Sequence, residues 1–227
     1  DTLADGQQLF PCAGTLKKLY IRLNVAPGAG NSLTITVNLN GVDQALAVTI
    51  SDTNTTGNNV ANTVAVVATD LVCFKVTQTG TPATSYIQHG IVFDATTDGQ
   101  MAHLGGPRRT QMVNSAIRYM QLDLGGLDIS WKTSGAGDAY SLSGACTLKN
   151  LYVRLSVAPG AGKSWRFIIE GPGGTWTNHD LTISDTNTSG SIVADSVIEA
   201  GTYLQMEVTP AGTPTAGYVQ WGVTAFT

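Results

Sequence analysis

Residues 15–30 read TLKKLYIRLNVAPGAG and residues 147–162 read TLKNLYVRLSVAPGAG, so two distant stretches are nearly the same. A second pair follows in the same order, TISDTNTTG at 49–57 and TISDTNTSG at 182–190. Matching blocks that keep their order, with an offset that changes by only one residue, are the signature of an internal duplication. The chain therefore contains two copies of one unit.

Within each copy, apolar residues alternate with polar ones. In the first block, Leu19, Ile21, Leu23 and Val25 alternate with Tyr20, Arg22 and Asn24, which gives a β-strand one apolar face and one polar face. Similar runs follow along copy one, at residues 33–39, 46–50, 60–66, 72–76 and 87–93. No stretch combines a helix-capping residue with apolar residues at i, i+3 and i+4, so we expect strands throughout.

Asn40-Gly41 lies between two of these alternating runs. Both residues tolerate a positive φ, which a two-residue type I′ turn requires at its two central positions. The sequence thus predicts a tight hairpin at this point. Because short strands separated by turn residues are typical of sandwiches and barrels, we expect an all-β fold. Its predicted form is two tandem jelly-roll-like antiparallel β-sandwich domains.

The repeat also predicts where these domains lie along the chain. The first domain is expected at residues 1–95, a linker at 96–115, and the second domain at 116–227. The second domain is predicted to carry an additional N-terminal hairpin at 118–131, because two alternating runs flank Gly125-Gly126.

Copy one has only a short segment before its first conserved strand, so we expect it to lack this hairpin. A sandwich without the hairpin exposes a sheet edge, and such an edge pairs readily with a strand of a neighbouring chain. Closure of the first domain by its own residues 2–10 is the alternative. This difference between the two copies, a hairpin in the second and none in the first, is therefore the feature of the sequence that best indicates a function.

Composition excludes several classes of protein. The net charge is −4, and only 12% of the residues are charged, whereas a nucleic-acid surface needs clustered Lys and Arg. The basic pair Arg108-Arg109 is interpreted as part of a solvated loop. No run of about twenty apolar residues is present, so membrane insertion is not expected. The chain opens at Asp1, as a processed product or a fragment would.

The three cysteines, Cys12, Cys73 and Cys146, fit neither a disulfide framework nor a zinc site with four grouped ligands. Unpaired thiols are expected, and a single bridge between Cys12 and Cys73 is the alternative.

The loops at 51–55 and 184–188 present oxygen atoms that resemble calcium ligands. Calcium takes six or more oxygens, usually from several carboxylates. Each loop offers one carboxylate, Asp52 or Asp185, so a turn stabilised by Asp, Asn, Ser and Thr side chains is the preferred interpretation.

The histidines, His89, His103 and His179, lie far apart and lack metal-binding spacing. His89 falls where copy two has Trp221, which suggests a packing position. No nucleophile motif, phosphate loop or dinucleotide motif is found. We therefore predict no catalytic, cofactor-binding or metal-binding residue, no cofactor and no enzymatic activity.

The blocks at 14–20, 25–30 and 80–82, together with Asn40-Gly41, carry a resemblance to a known kind of protein. Each copy resembles the small jelly-roll repeats of bacteriophage structural proteins and of bacterial surface proteins, over residues 15–93 and 118–226. Jelly rolls serve as capsid, fibre, lectin and cytokine folds, so the resemblance implies the fold more specifically than the function.

The first functional hypothesis is a structural assembly protein. It would be a subunit of a virion (capsid, decoration or fibre) or of an extracellular filament, and it would associate with itself through sheet edges and loops. Its partners would be copies of itself and other virion or surface proteins, without nucleic acid. The expected location is a virion, the extracellular space or a cell surface.

The alternative hypothesis is a carbohydrate-binding or receptor-binding β-sandwich module. A glycan would stack on surface aromatics such as Tyr20, Tyr152, Trp165 or Trp176. Tyr20 also fits a cross-strand packing role. A trimeric receptor-binding head of the cytokine-like type is a third hypothesis.

Overall fold

A computed structural model of the chain describes residues 6–106, 110–122, 131–133, 141–142, 144–171 and 178–227. Within these ranges its named elements are sixteen β-strands. The pairings inside each unit are antiparallel. The predicted all-β fold with antiparallel β-sandwich character is therefore confirmed.

The chain divides into two compact units. One unit comprises Asp1–Gln7 and Ala13–Asp98, and the other comprises Gln8–Cys12 and Gly99–Thr227. The short segment Gln8–Cys12 thus precedes the strands of the first unit in sequence but belongs to the second unit.

The first unit is a sandwich of two sheets. Its strands are β2 (Gly14–Leu23), β3 (Gly28–Leu39), β4 (Val42–Asp52), β5 (Thr56–Val66), β6 (Leu71–Thr79) and β7 (Ile87–Ala95). One sheet has the order β5-β2-β7, and β6, β3 and β4 are neighbours in the other. Every connection except the β3–β4 hairpin crosses from one sheet to the other, so the two apolar faces enclose a core.

Alternate residues of these strands fill that core, as the period of two requires. Leu19, Ile21 and Leu23 of β2 are buried, and they are matched by Ile35 and Val37 of β3. The intervening Tyr20 and Arg22 are exposed on the outer face of the sheet. The predicted alternation of this block is confirmed from Leu19 to Leu23, whereas Val25, predicted on the same apolar face, lies after the end of β2 and is 43% exposed.

The Asn40-Gly41 turn is also confirmed. β3 ends at Leu39 and β4 begins at Val42, so the loop has two residues. The φ angles are 52° at Asn40 and 89° at Gly41, and two positive values are what a type I′ turn requires.

The second unit contains β1 (Gln8–Leu9), β8 (Gln100–Gly105), β9 (Arg118–Gln121), β10 (Ser141–Leu142), β11 (Cys146–Leu155), β12 (Gly160–Glu170), β13 (Asp180–Asp185), β14 (Ser189–Ile198), β15 (Tyr203–Ala211) and β16 (Val219–Phe226). One sheet has the order β14-β11-β16-β8. In the other, β13-β12-β15 continues into β10, and β9 also pairs with β15.

The strands of the second unit pair from the outside inwards, the first with the last and the second with the next to last, as in one long hairpin. β8 pairs with β16, β9 with β15, β11 with β14, and β12 with β13. Rolling such a hairpin gives the eight-stranded, double-sheet arrangement of a jelly roll. The second unit therefore has a complete set of jelly-roll strands.

Large aromatic side chains occupy the core of the second unit. Trp165, Phe167 and Trp221 are fully buried. The indole N–H of Trp221 donates to the carbonyl oxygen of Leu122 at 3.0 Å, which satisfies its one polar group as buried tryptophan requires. A Cβ at Gly105 would collide with the same indole, so glycine lets β8 lie close to it.

Strand β8 lies within residues 96–115, for which the sequence predicts a linker. Its six residues show no regular alternation of buried and exposed positions, which explains why pattern analysis finds no strand there. The predicted hairpin at 118–131 is described in part: its first strand is β9, and Tyr119 forms an isolated antiparallel bridge with Lys132. Its predicted Gly125-Gly126 turn lies outside the described residues.

Candidate interaction surface

The two units differ at the last strand of their matched sheets. In the second unit, β16 has β11 on one side and β8 on the other. In the first unit, β7 has β2 on one side, and no strand pairs with its other side among the described residues. None of the nine residues of β7 is buried, whereas six of the eight in β16 are. Residues 2–5, proposed to help close this unit, lie outside the described residues.

The polar face of the β5-β2-β7 sheet forms a shallow groove of about 400 Å³. Strand register places Tyr20 between Asn58 and Gly90, and Arg22 between Thr56 and Gln88. We call this surface the Tyr20 groove, and its outward-facing residues are Tyr20, Arg22, Thr56, Asn58, Gln88 and Gly90.

Exposure and chemistry suit this groove to recognition. The Tyr20 side chain is 50% exposed and presents a flat apolar ring with a hydroxyl at its tip. Arg22, Asn58 and Gln88 surround it with hydrogen-bond donors. Gly90 leaves the floor beside the ring flat, and a Cβ there would meet no atom of the described residues within 4 Å.

The second unit repeats this groove in the same register. Tyr152 lies between Ser191 and Gly222, and Arg154 lies between Ser189 and Gln220. The tyrosine, the arginine, the glutamine and the central glycine are therefore the same in both copies. We call this second surface the Tyr152 groove.

The part of the Tyr152 groove over Gly222 is covered by the chain itself. A Cβ on Gly222 would lie 2.3 Å from the carbonyl oxygen of Leu9 and 3.0 Å from Cδ of Pro11. The hydroxyl of Thr224 donates to the carbonyl oxygen of Pro11 at 3.2 Å. Residues 9–11, which we call the 9–11 segment, therefore cross the outer face of β16, and Tyr152 is only partly exposed.

The two Asp-containing loops are built as turns. Asp52 and Asp185 both have a φ of 57°, in the left-handed region that Asp tolerates better than most residues. Each carboxylate accepts a hydrogen bond at 2.8 Å from a backbone N–H, that of Gly30 or Gly162. Those oxygens thus hold the neighbouring loop in place. Within the described ranges, no group of three or more His, Cys, Asp or Glu side chains could hold a metal ion.

The matched positions His89 and Trp221 have different environments. Trp221 is a core residue, whereas His89 is exposed on β7 and its ring lies 4.4 Å from that of Phe74 at a tilted angle. The predicted packing role therefore fits Trp221, which lies in the core. His89 packs only through its contact with Phe74. Strand β8 pairs with β16 beside Trp221, and no described strand takes the same place beside β7.

His179 is fully buried between two polar partners. Its Nε2 lies 2.6 Å from the Lys149 carbonyl oxygen, and its Nδ1 lies 3.2 Å from the Ser196 hydroxyl. Burial disfavours the imidazolium ion and lowers the pKa of His179, although its hydrogen bonds oppose the shift. The side chain therefore acts as a neutral core residue.

A buried polar pair was missed by sequence reasoning. Glu170 on β12 accepts a hydrogen bond from the Gln205 amide on β15, and both are buried. Burial raises the pKa of Glu170, and the negative charge of Glu207 adds to the rise. The matched residue in copy one is Asn38, which is also fully buried. The sequence did contain a signal for this pair: Asn38 and Glu170 are polar residues at matched positions of two otherwise apolar strands, β3 and β12.

Several other predicted residues take different roles. Trp165, suggested as a surface aromatic for a glycan, is fully buried, so that suggestion is wrong. Trp176 and Arg108-Arg109 lie outside the described residues. Cys12, Cys73 and Cys146 are buried thiols, and burial raises the pKa of Cys12.

Comparison with protein-family models finds no matching family, and comparison with curated proteins finds no matching relative. Among the described residues, no helix is long and apolar enough to cross a membrane.

Proposed function

We propose that this chain is a structural assembly protein that associates with copies of itself. It would serve as a subunit of a virion (capsid, decoration or fibre) or of an extracellular filament, with other virion or surface proteins as further partners. The observation that carries the proposal is strand β7, which has no strand on its outer side among the described residues.

The sequence of β7 supports this role. Soluble proteins protect edge strands with lysine, proline, bulges or shortness, and β7 is nine residues long and contains neither lysine nor proline. Its single charge, on Asp94, is paired with Lys17 of β2. At about 3.3 Å per residue, the strand offers roughly 30 Å of edge to a neighbour.

The low density of charge favours the same proposal. Only 12% of all residues are charged, about half the usual share. Electrostatic repulsion between copies is therefore weak, and backbone pairing between sheets encounters little opposition.

The test is the oligomeric state of the purified chain, by light scattering across a concentration series and by electron microscopy. We expect concentration-dependent oligomers, filaments or particles. Ile91→Lys places a charge on the half-buried face of β7 and should abolish assembly, whereas Val67→Lys, at an exposed position outside the strands, should not. Circular dichroism checks that both variants fold. A monomer at every concentration would refute the proposal.

A glycan-binding module is the second candidate, and the Tyr20 groove is the observation in its favour. An exposed tyrosine ring flanked by Arg22, Asn58 and Gln88 matches the combination of an apolar platform and hydrogen-bond donors that ligand sites use. A glycan array tests it, with Tyr20→Ala as the matched variant. Binding by a monomeric protein that is lost in Tyr20→Ala would favour this function over assembly.

A further inference from the structure

Strand β7 and its counterpart β16 differ at the residues that face the core of their units. Four core-facing residues of β16, beside which β8 is paired, are at most 1% exposed: Val219, Trp221, Val223 and Ala225. None of the matched residues of β7 is buried: Ile87, His89, Ile91 and Phe93. A strand paired with the outer side of β7 would therefore cover side chains that already face the core.

We infer that this strand is β7 of a second copy of the chain, paired antiparallel about a two-fold axis at Ile91. In this arrangement Gly90 of one chain lies opposite Val92 of the other, and Gln88 lies opposite Asp94. The inference rests on the proposed self-association and gives it a strand, a register and a symmetry.

The backbone of β7 is arranged for such a pairing. Just before β7, the carbonyl oxygen of Tyr86 accepts a hydrogen bond from the N–H of Asn24, which follows β2. Just after β7, the N–H of Thr96 donates to the carbonyl oxygen of Ala13 on the same side. Residues of a strand direct these groups alternately to one side and the other, and the bulge in this pair of strands lies in β2. The even-numbered residues of β7 thus bond towards β2, and the odd-numbered residues direct their N–H and C=O groups to the outer side.

A two-fold axis at Ile91 suits this alternation. It sets odd-numbered residues opposite odd-numbered ones, so the groups on the outer sides of both strands meet in hydrogen-bonded pairs. All nine residues of β7 are then paired, with about ten backbone hydrogen bonds between the chains. A shift of one residue would set core-facing side chains against those of the polar face, and a shift of two would leave two residues of each strand unpaired.

The polar face of the sheet has room for the side chain that this register brings against it. Gly90 carries no side chain, and a Cβ there would meet no described atom within 4 Å. Tyr20 is the cross-strand neighbour of Gly90, so Val92 of the second copy packs beside the Tyr20 ring. Val92 is 41% exposed in the single chain, and this contact removes apolar surface from water.

The charged side chains are complementary in the same register. The amide of Gln88 donates to the carboxylate of Asp94 in the second copy. Arg22 is the neighbour of Gln88 on β2, so it lies two strands, or about 10 Å, from that carboxylate. Lys17 holds Asp94 from the other side. Each carboxylate therefore lies between two cations, and no like charges of the two β7 strands lie opposite each other, which favours the pairing.

Such a contact uses the same surface of both chains. An isologous contact of this kind closes at two chains. It joins two three-stranded sheets into one of six, in the order β5-β2-β7-β7-β2-β5. The basic unit of the proposed assembly is therefore a two-fold dimer, and larger particles would add further contacts to it.

Disulfide trapping tests the register. Gly90→Cys and Val92→Cys are made in separate chains, mixed at a concentration where the unmodified chain associates, and oxidised mildly. Residues 90 and 92 of different chains form a pair without backbone hydrogen bonds, with Cα atoms about 4.5 Å apart, which is within the range that a disulfide spans. The mixed disulfide should therefore be the main product on non-reducing gels and in peptide mass spectra. Two cysteines at 90, or two at 92, lie diagonally at about 7–8 Å, so their disulfides should be minor products.

The chain offers matched controls for this experiment. Its three native cysteines are buried, so the unmodified chain should give no such crosslink. Val67→Cys, at an exposed position outside the strands, should not crosslink with Gly90→Cys. If circular dichroism shows that a variant at 90 or 92 does not fold, Gln88→Cys mixed with Asp94→Cys tests the same register.

The outcomes distinguish the pairing of β7 from self-association itself. If the chains associate but self-disulfides at 90 or at 92 predominate, or no disulfide forms, the inferred pairing is wrong and self-association stands. If the unmodified chain stays monomeric at every concentration, both proposals fail.

Discussion

Alanine at Gly222 and alanine at Gly90 form a matched pair of perturbations. The two glycines occupy the same register position, opposite Tyr152 and Tyr20 respectively. A methyl group on Gly222 would lie 2.3 Å from a backbone oxygen of the 9–11 segment, whereas one on Gly90 would meet no described atom within 4 Å. The same chemical change is therefore expected to have opposite effects on the free energy of unfolding.

The size of the effect depends on how the segment responds. Leu9 and Phe10 are 3% and 4% exposed, so detaching the segment would cost about 1.5–3 kcal/mol for each side chain. The Thr224 hydrogen bond adds about 1 kcal/mol. Detachment thus costs more than the roughly 1–3 kcal/mol typical of overpacking, and the segment should shift rather than leave.

We therefore expect Gly222→Ala to destabilise the protein by about 1–3 kcal/mol. Gly90→Ala should be neutral or stabilising by about 0.5 kcal/mol, because glycine in a strand loses more backbone entropy than alanine. Urea denaturation measures the difference. Tryptophan fluorescence reports on the second unit, because all four tryptophans lie after residue 130, and circular dichroism reports on both units, including the effect at Gly90. Equal midpoints for the two variants would show that the 9–11 segment does not lie over Gly222.

Three further changes test individual interactions. Asp185→Ala removes the acceptor for the Gly162 N–H and leaves alanine at a φ of 57°, so urea denaturation should show a loss of about 1–3 kcal/mol; no loss would mean that the carboxylate does not hold the loop. Because the pKa of His179 is lowered from 6.5, the folded state binds its proton more weakly than the unfolded chain. Stability should fall as the pH drops below 6.5, and His179→Gln should flatten this slope in denaturation curves between about pH 7 and pH 5. Trp221→Phe leaves the Leu122 carbonyl without its donor and opens a cavity, so unfolding should become easier by about 1–3 kcal/mol in calorimetry.

Local features of the fold were predictable because they depend on neighbours in sequence. Alternation placed Leu19, Ile21 and Leu23 in the core and Tyr20 on the surface, since side chains of a strand point to opposite faces in turn. The Asn40-Gly41 turn follows from the φ angles that these two residues tolerate.

Candidate surface residues were predictable only in part. Tyr20 is exposed as suggested, but Trp165 is buried, because an aromatic residue in a strand fits either face and the pattern around it does not decide. The buried Glu170–Gln205 pair joins strands far apart in sequence, so no local period indicates it.

The sequence by itself determined that the chain is a duplicated β protein, because repeats, alternation and turn residues act over short distances. Only the tertiary structure decided what became of the two copies. Gly90 and Gly222 are the same residue in the same register, yet one lies open and the other lies beneath residues 9–11. That difference arises from contacts between segments more than two hundred residues apart, and no local pattern encodes which distant segment will cover a strand.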